Sequence, residues 1–382
     1  MREVVIVEAV RTPVGKRKGA LGTVRPDDLL AGVLKELVKR AGVSGSDVED
    51  VIIGCVSQVE EQGVNIARTA TLLADFPIHV PATTIDRQCG SSQQAVHFAA
   101  QAILSGDMDV VIAGGIEHMT RVPMGSNRLK SKVSPDLHTR YELINQGLSA
   151  ERIAEKWELS REQLDEYSLQ SHQRAIQAQN EGRFDREIMP VEVTNEDGTK
   201  TLMTQDEGPR RGTSLEQLSG LRTVFKDDGV IHAGNSSQMS DGAAALLLMS
   251  KEKAEELGVK PRFRIISRTV VGSDPTLMLT GPIEATRQAL KKADLTIDDI
   301  DLYEINEAFA PVPLCWLHDI GADMEKLNVN GGAIALGHPL GASGARVMTT
   351  LIHELERTGG RYGLQAICEG AGMANATIIE RI

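Results

Sequence analysis

The sequence predicts an α/β protein of two similar halves with a different kind of segment set between them. Three observations carry that prediction. Short apolar, β-rich runs alternate with helically spaced segments, the order of the first third recurs near the C-terminus, and the texture changes between about residues 120 and 240. Strands alternating with helices imply a largely parallel sheet covered on both faces.

Taken in order, residues 4–10 form an apolar run ended by Arg11-Thr12-Pro13. Residues 29–41 place Leu29, Leu30, Val33, Leu34, Leu37 and Val38 at helical spacing, with Gly42 as a stop. Residues 51–56 read as a buried strand, 65–74 as a helix, and 83–86 as a strand leading into the turn at Cys89 and a further helix. Val110-Val111-Ile112-Ala113-Gly114-Gly115 is another buried strand. Beyond Thr120 charges cluster, and helices are expected at 150–157 and 161–180. The first carries Glu151, Arg152, Glu155 and Lys156 on a face expected to be solvated, and the second opens on a Ser160-x-x-Gln163 capping box. Residues 242–249 fit a strand or a buried helix, 251–257 a helix closed by Gly258, 264–267 a strand and 283–292 a helix.

The repeat then becomes visible. Residues 43–53, ending Asp50-Val51-Ile52-Ile53, and 295–305, ending Leu302-Tyr303-Glu304-Ile305, share an acidic turn that enters a strand. Each is followed by a Gly-rich turn, at Cys89-Gly90-Ser91-Ser92 and at His338-Pro339-Leu340-Gly341-Ala342-Ser343-Gly344, and then by a further helix and strand. Self-similarity on this scale points to a duplicated half-domain. The expected division is 1–119, with about 241–262 returning to it, then an inserted 120–240, then 263–382. Two such halves about a pseudo-twofold axis bring Cys89, His338 and Cys368 toward one seam.

Composition narrows the class. The chain has 382 residues, 41% hydrophobic and 25% charged, the balance of a soluble globular protein. Aromatics are only 3% against 36 glycines, which favours close helix–strand packing. A net charge of −12 argues against a general nucleic-acid or anionic-membrane surface, while leaving room for a local basic pocket. The four cysteines lack C-x-x-C spacing, so neither a disulfide framework nor a zinc site is indicated. No apolar run approaches the roughly 20 residues of a membrane span. With a strand beginning almost at Met1, a reduced, cytoplasmic protein is expected.

Cys89 stands at a probable helix start, where unpaired N–H groups and the helix dipole favour a thiolate; a buried small hydrophobe is the plain alternative. His338 also precedes a helix, Cys368 ends a strand, and Asn306 follows one. These are the ends at which parallel α/β folds build sites. A thiol near an imidazole is an activated nucleophile, and an amide and imidazole N–H stabilise an oxyanion. Each residue also has a dull explanation: His338 as a helix-start hydrogen bonder, Asn306 as a turn former, Cys368 as core. Two thiols with one histidine suit covalent thioester chemistry coupled to proton transfer at carbon.

These residues carry a family resemblance. Asn306-Glu307-Ala308-Phe309-Ala310 is similar to the N-E-A-F motif of thiolases, and residues 328–344 resemble their histidine signature. Cys89-Gly90-Ser91 and Cys368-Glu369-Gly370 resemble the two cysteine motifs, and Gly182-Arg183-Phe184 and residues 233–244 fit the inserted region. The resemblance runs essentially end to end. It implies a five-layered αβαβα core of two duplicated halves with a loop domain that binds coenzyme A.

By motif match, Cys89 would be the acylated nucleophile, and Cys368 the acid/base at the acetyl Cα. His338 would activate Cys89 and contribute to an oxyanion hole in which Asn306 holds a water. The N–H groups of Cys89 and Gly370 would form a second hole. Ser237 would contact pantetheine, Arg210 the nucleotide, and Ala308 and Phe309 would line the tunnel. Arg210-Arg211 is also a basic pair in an acidic chain, as a polyanionic ligand requires, or simply a solvated pair. The implied reaction is ping-pong thiolysis of a 3-oxoacyl-CoA, run in reverse as Claisen condensation. Coenzyme A is a substrate and neither metal nor prosthetic group is required; a homodimer or homotetramer is expected.

Departures from the family pattern bear on specificity. Ser92 replaces a common glycine, Ala371 interrupts a glycine run, and Glu369 sets a carboxyl beside the second thiol. Asn145-Gln146-Gly147 stands where biosynthetic acetoacetyl-CoA thiolases have H-M-G. The Arg87-Gln88-Cys89 context looks more like degradative thiolases of fatty-acid β-oxidation. The competing readings are an acetoacetyl-CoA thiolase, a catalytically silent acyl-CoA-binding relative, a ketoacyl synthase and a Cys-His-Asn hydrolase. The last two leave Cys368 without a task.

Overall fold

The computed structural model describes residues 2–129 and 131–382. Nine strands follow one another across a single sheet: β1 (Val4–Arg11), β2 (Asp50–Gly54), β3 (Ala82–Ile85), β4 (Val110–His118), β5 (Ser240–Ser250), β6 (Phe263–Gly272), β7 (Leu302–Ile305), β8 (Tyr362–Glu369) and β9 (Met373–Arg381). Their order is β7-β8-β9-β6-β1-β5-β4-β2-β3, with Gly15–Lys16 pairing to β5 as a tenth. The helices that matter here are α1 (Pro26–Ala41), α2 (Ile66–Leu73), α3 (Ser91–Ser105), α4 (Gln146–Lys156), α5 (Arg161–Asn180), α6 (Gly281–Ala293), α7 (Pro311–Ile320) and α8 (Ser343–Thr358).

The internal repeat is written in the pairing. β2-β4-β5-β1 and β7-β8-β9-β6 have the same order and the same directions, and the halves meet where Val5 and Ile6 pair antiparallel with Arg264 and Phe263. The expected largely parallel sheet is therefore corrected to a mixed one. Only β2–β3, β2–β4 and β7–β8 run parallel. A strand buried on both faces is apolar whichever way its neighbour runs, so the composition of residues 110–118 and 240–250 carries no direction. Residues 242–249, ambiguous in sequence, lie in β5, every residue of which is buried.

Alternate side chains on these strands feed different cores. Val5, Val7, Ala245, Leu247 and Met249 pack with α1 and α2. Val4, Ile6, Ala244, Leu246 and Leu248 pack with α3 and α8. Beyond α3 and α8 lie the inner faces of β8 and β9: Gln93 and His97 of α3 reach the Thr377 hydroxyl at 2.7 and 2.8 Å, and Gln365 donates to Gly344 O at 2.9 Å. The outer faces of β8 and β9 pack on α6 and α7. The layers are thus α1/α2, strands, α3/α8, strands, α6/α7.

The two halves differ most at one connection. Between β8 and β9 stands the turn Gly370-Ala371-Gly372, with Ala371 and Gly372 at φ +67° and +79°. At the corresponding place, between β4 and β5, the chain inserts residues 119–239. This segment contains α4, α5 and an antiparallel hairpin, Val191–Thr194 with Lys200–Met203, that sequence texture alone does not reveal. It is anchored through Arg11, fully buried at the end of β1. Arg11 Nε donates to Glu187 at 2.6 Å, Nη1 and Nη2 hold Asp206 at 2.6 and 3.0 Å, and the guanidinium lies over Phe184. The expected solvated face of α4 is corrected at Glu151. Its buried carboxylate accepts from Val230 N and Ile231 N at 2.8 and 2.9 Å, because that loop has backbone donors to satisfy.

The N-termini of α3 and α8 interlock at the pseudo-twofold seam. Ala345 N donates to Ser92 Oγ at 2.9 Å, and a Cβ on Gly344 would fall 2.3 Å from Gln93 N. Gly344→Ala is expected to cost about 1–3 kcal/mol or more, since the obstacle is backbone. Chemical denaturation would check this; an unchanged midpoint would show that the seam yields.

Candidate active site

Cys89 lies two residues ahead of α3, in a loop whose geometry is fixed by its own side chains. Asp86 accepts from Gln88 N at 2.7 Å, and Ser91 Oγ accepts from Arg87 N and donates to Gln88 O at 2.9 and 2.6 Å. Gln88 takes the left-handed φ of +49°. The thiol is buried, and burial, then Glu369, then Glu117 push it up to about 12. The expectation of a thiolate favoured by the helix start is thereby corrected for the resting protein. Desolvation and two neighbouring carboxyls outweigh the partial charge of a helix end.

His338 is buried across the same seam. Ser343 Oγ donates to Pro339 O at 2.8 Å, so its lone pairs are left to accept from His338 Nδ1–H at 2.6 Å. That assignment leaves Nε2 unprotonated, facing Asn306 Nδ2 at 3.4 Å. Burial, aided by Arg346, pushes the imidazole down to about 3, so it is neutral at ordinary pH, with an open lone pair on Nε2. Asn306 is pinned by its N–H to Ala366 O at 3.1 Å, and its buried Oδ1 has no partner among the described residues. An acceptor left open there suits an ordered water.

Cys368 stands near the end of β8 on the face shared with α6 and α7. Burial raises its thiol well above the ordinary range, and the first charge acting on it is that of Cys89. The two sulfurs therefore share one electrostatic environment. Gly370 follows at the turn, its Cα flank against the Gln88 and Gln146 amides. Neither the N–H of Cys89 nor that of Gly370 has a hydrogen-bond partner among the described residues.

The residues implied for coenzyme A divide into two groups. Ser237, Ala308 and Phe309 come together: Ser237 N donates to Ala308 O at 3.0 Å, Ser236 bridges Phe309, and Phe309 meets Phe225 edge-on at 6.0 Å. Arg210 stands on an exposed loop, its N–H donated to His172 at 3.2 Å; Gly208 of the same loop accepts from Gln238 Nε2, beside Ser237, at 3.0 Å. Its neighbour Arg211 is tied to Asn180 at 3.0 Å, so the two arginines are not equivalent.

Several supporting groups escape sequence reasoning. Ser343, which sets the His338 tautomer, lies inside the histidine motif and could have been read from it. Glu117 could not. Its buried carboxylate holds Val56 N, Ser57 N and Gly341 N at 2.9, 3.1 and 2.9 Å, tying β4 to the turn after His338. Phe225, which fills the space over Gly147, is likewise a tertiary discovery.

Comparison with known proteins identifies the family. Residues 4–252 match the family model of the thiolase N-terminal domain and residues 259–381 that of the thiolase C-terminal domain. The chain is 50% identical to the steroid 3-ketoacyl-CoA thiolase FadA6 of Mycobacterium tuberculosis, over all of this chain and 95% of that protein. It is 46% identical to a 3-ketoacyl-CoA thiolase of Bacillus subtilis, with both chains fully covered. The crystal structure of the Bacillus anthracis acetyl-CoA acetyltransferase superposes with a TM-score of 0.92 at 41% identity, covering 100% of this chain and 99% of that one. With two family domains end to end and relatives matched along its whole length, the chain belongs to the thiolase family.

Proposed function

We propose that this acyltransferase is a degradative 3-ketoacyl-CoA thiolase, releasing acetyl-CoA from a 3-oxoacyl-CoA and passing the shortened acyl group to coenzyme A. The observation that carries the reading is a second thiol, Cys368, that feels the charge of Cys89, together with a neutral histidine whose Nε2 is unprotonated and faces Asn306. Cys89 Sγ attacks the C3 carbonyl carbon as its proton passes to His338 Nε2. The same nitrogen, now N–H, then donates to an oxyanion beside the water held by Asn306. The C2–C3 bond breaks, and the acetyl-CoA enolate takes its proton from Cys368. A thiol held well above its usual range is matched to a carbon acid. Free coenzyme A gives its thiol proton to Cys368 and attacks the Cys89 thioester. During that step the N–H groups of Cys89 and Gly370 face the acyl oxygen. The departing Cys89 sulfur recovers its proton from His338, so protons and electrons balance over the cycle.

Ser237, Ala308 and Phe309 are assigned to the pantetheine path and Arg210 to the phosphates. No helix among the described residues is long and apolar enough to cross a membrane. A cytoplasmic, homo-oligomeric enzyme, dimer or tetramer, completes the reading. Four free, buried thiols support the reducing compartment, and exposed Val64 and Ile78 support the assembly.

Intact-mass analysis after incubation with a 3-oxoacyl-CoA tests the core of this. A single acyl adduct is expected, absent in Cys89→Ala; an adduct that survives that substitution would overturn the assignment. A second reading, acetoacetyl-CoA thiolase, is favoured by the likeness to the Bacillus anthracis acetyl-CoA acetyltransferase. Thiolysis rates across 3-oxoacyl-CoAs of increasing size separate the two. Activity confined to acetoacetyl-CoA would select the second.

A further inference from the structure

Glu369 is a buried acid with no evident structural task. Both carboxyl oxygens are shielded from solvent and lack any hydrogen-bond partner among the described residues. Strand alternation turns Glu369 away from the Cys368 face and onto the start of α3, where a Cβ on Gly90 would fall 1.9 Å from Oε1. The Glu369 carboxyl thus lies directly against Gly90, the residue after Cys89. Arg87 flanks the same space. Its Nε is buried without a partner among the described residues, and its Nη1 rests 3.9 Å from the sulfur of Met373, the residue paired with Glu369 across the hairpin. A structural carboxyl would be saturated with donors, as Glu117 and Glu307 are. This one is not.

We propose that Glu369 is a positioning residue for the acylation step, acting through Cys89: its carboxyl charge, balanced by Arg87, sets how readily the Cys89 thiol gives up its proton. The groups facing it are few. Cys368 adjoins it on β8; Asp86, Arg87 and Cys89 come from the loop ahead of α3; and β9 brings only Met373 and Asn375, the latter donating to Gly90 O at 3.3 Å. Burial raises the Glu369 carboxyl to about 8, Arg87 opposing and Asp86 adding to the shift. Glu369 in turn is the first charge acting on Cys89, ahead of Glu117 and Asp86. A neutral Glu369 eases ionisation of the nucleophile, and an ionised one opposes it further. Ionising either group makes the other harder to ionise.

The inference rests on Cys89 as the acyl-carrying thiol, and its test needs no acyl-CoA. Iodoacetamide alkylation of Cys89, followed by peptide mass spectrometry across the neutral-to-alkaline range, reads thiolate formation directly. Glu369→Gln is expected to lower the pH midpoint by about one unit, roughly a tenfold gain in thiolate at fixed pH. Glu369→Asp, which keeps the charge, should stay near the wild-type midpoint. In the wild-type enzyme the logarithm of the rate should bend below unit slope where Glu369 ionises. That profile decides the matter if Glu369→Gln does not fold. An unmoved midpoint in a folded Glu369→Gln, or a single-proton wild-type profile, overturns the proposal. If Cys89 acylates normally in either case, the thiolase reading stands and only the role of Glu369 falls.

Discussion

Cys368→Ala will still take up an acyl group on Cys89, while exchange of the acetyl α-protons with solvent falls by roughly 10²–10⁴-fold, the usual worth of a positioned acid/base. The two thiols sit on different elements and have different partners. Cys89 is served by the neutral His338 across the α3/α8 seam, and that base is independent of β8. Cys368 projects from β8 toward the α6/α7 core and is linked to Cys89 only through charge. Removing its sulfur therefore leaves nucleophile, base and Asn306 in place and deletes the proton carrier for the enolate. Deuterium wash-in at the acetyl methyl, followed alongside the acyl adduct, separates the two steps. Unimpaired exchange in this variant would transfer the acid/base role elsewhere.

Glu307→Ala is expected to be the most damaging change to stability outside the catalytic groups, at about 3–5 kcal/mol. The buried carboxylate accepts from the Tyr167 hydroxyl, Ser171 Oγ, Asn328 Nδ2 and Ile334 N at 2.9, 2.7, 3.1 and 3.0 Å. Those donors come from α5, from Asn328 and from the start of the histidine motif, so one side chain joins the inserted segment to the catalytic turn. Alanine would strand four buried donors and open a cavity against Gly332, whose added Cβ would touch the carboxyl at 2.3 Å. Glu307→Gln retains one acceptor oxygen and should recover part of the loss. Denaturant titration gives the magnitude, and a cost below about 1 kcal/mol would show that water replaces the acceptor.

Much of the site is legible in the chain because its parts are local. Cys89 before α3, Asn306 after β7 and the residues around His338 are contiguous motifs, and the duplicated acidic turn and Gly-rich turn mark two halves of one design. The capping box at Ser160 and Gln163 forms as its spacing dictates. The hairpin within the inserted segment is not legible, since its strands are only four residues long and the second is mostly exposed. Neither is the burial of Glu151, which depends on a loop some 80 residues away.

The sequence by itself determined which residues carry the chemistry, that two halves repeat, and that a foreign segment interrupts the first. Only the tertiary structure decided how the strands run, which protonation states the site holds at rest, and what faces Cys89. Periodicity reports burial and not direction, so a mixed sheet reads like a parallel one. A pKa is set by desolvation and by charges brought close through folding, and no local motif states either. For that reason the thiol expected to be ionised by its helix is instead held protonated, with Glu369 against its neighbouring glycine and a neutral His338 ready to take the proton.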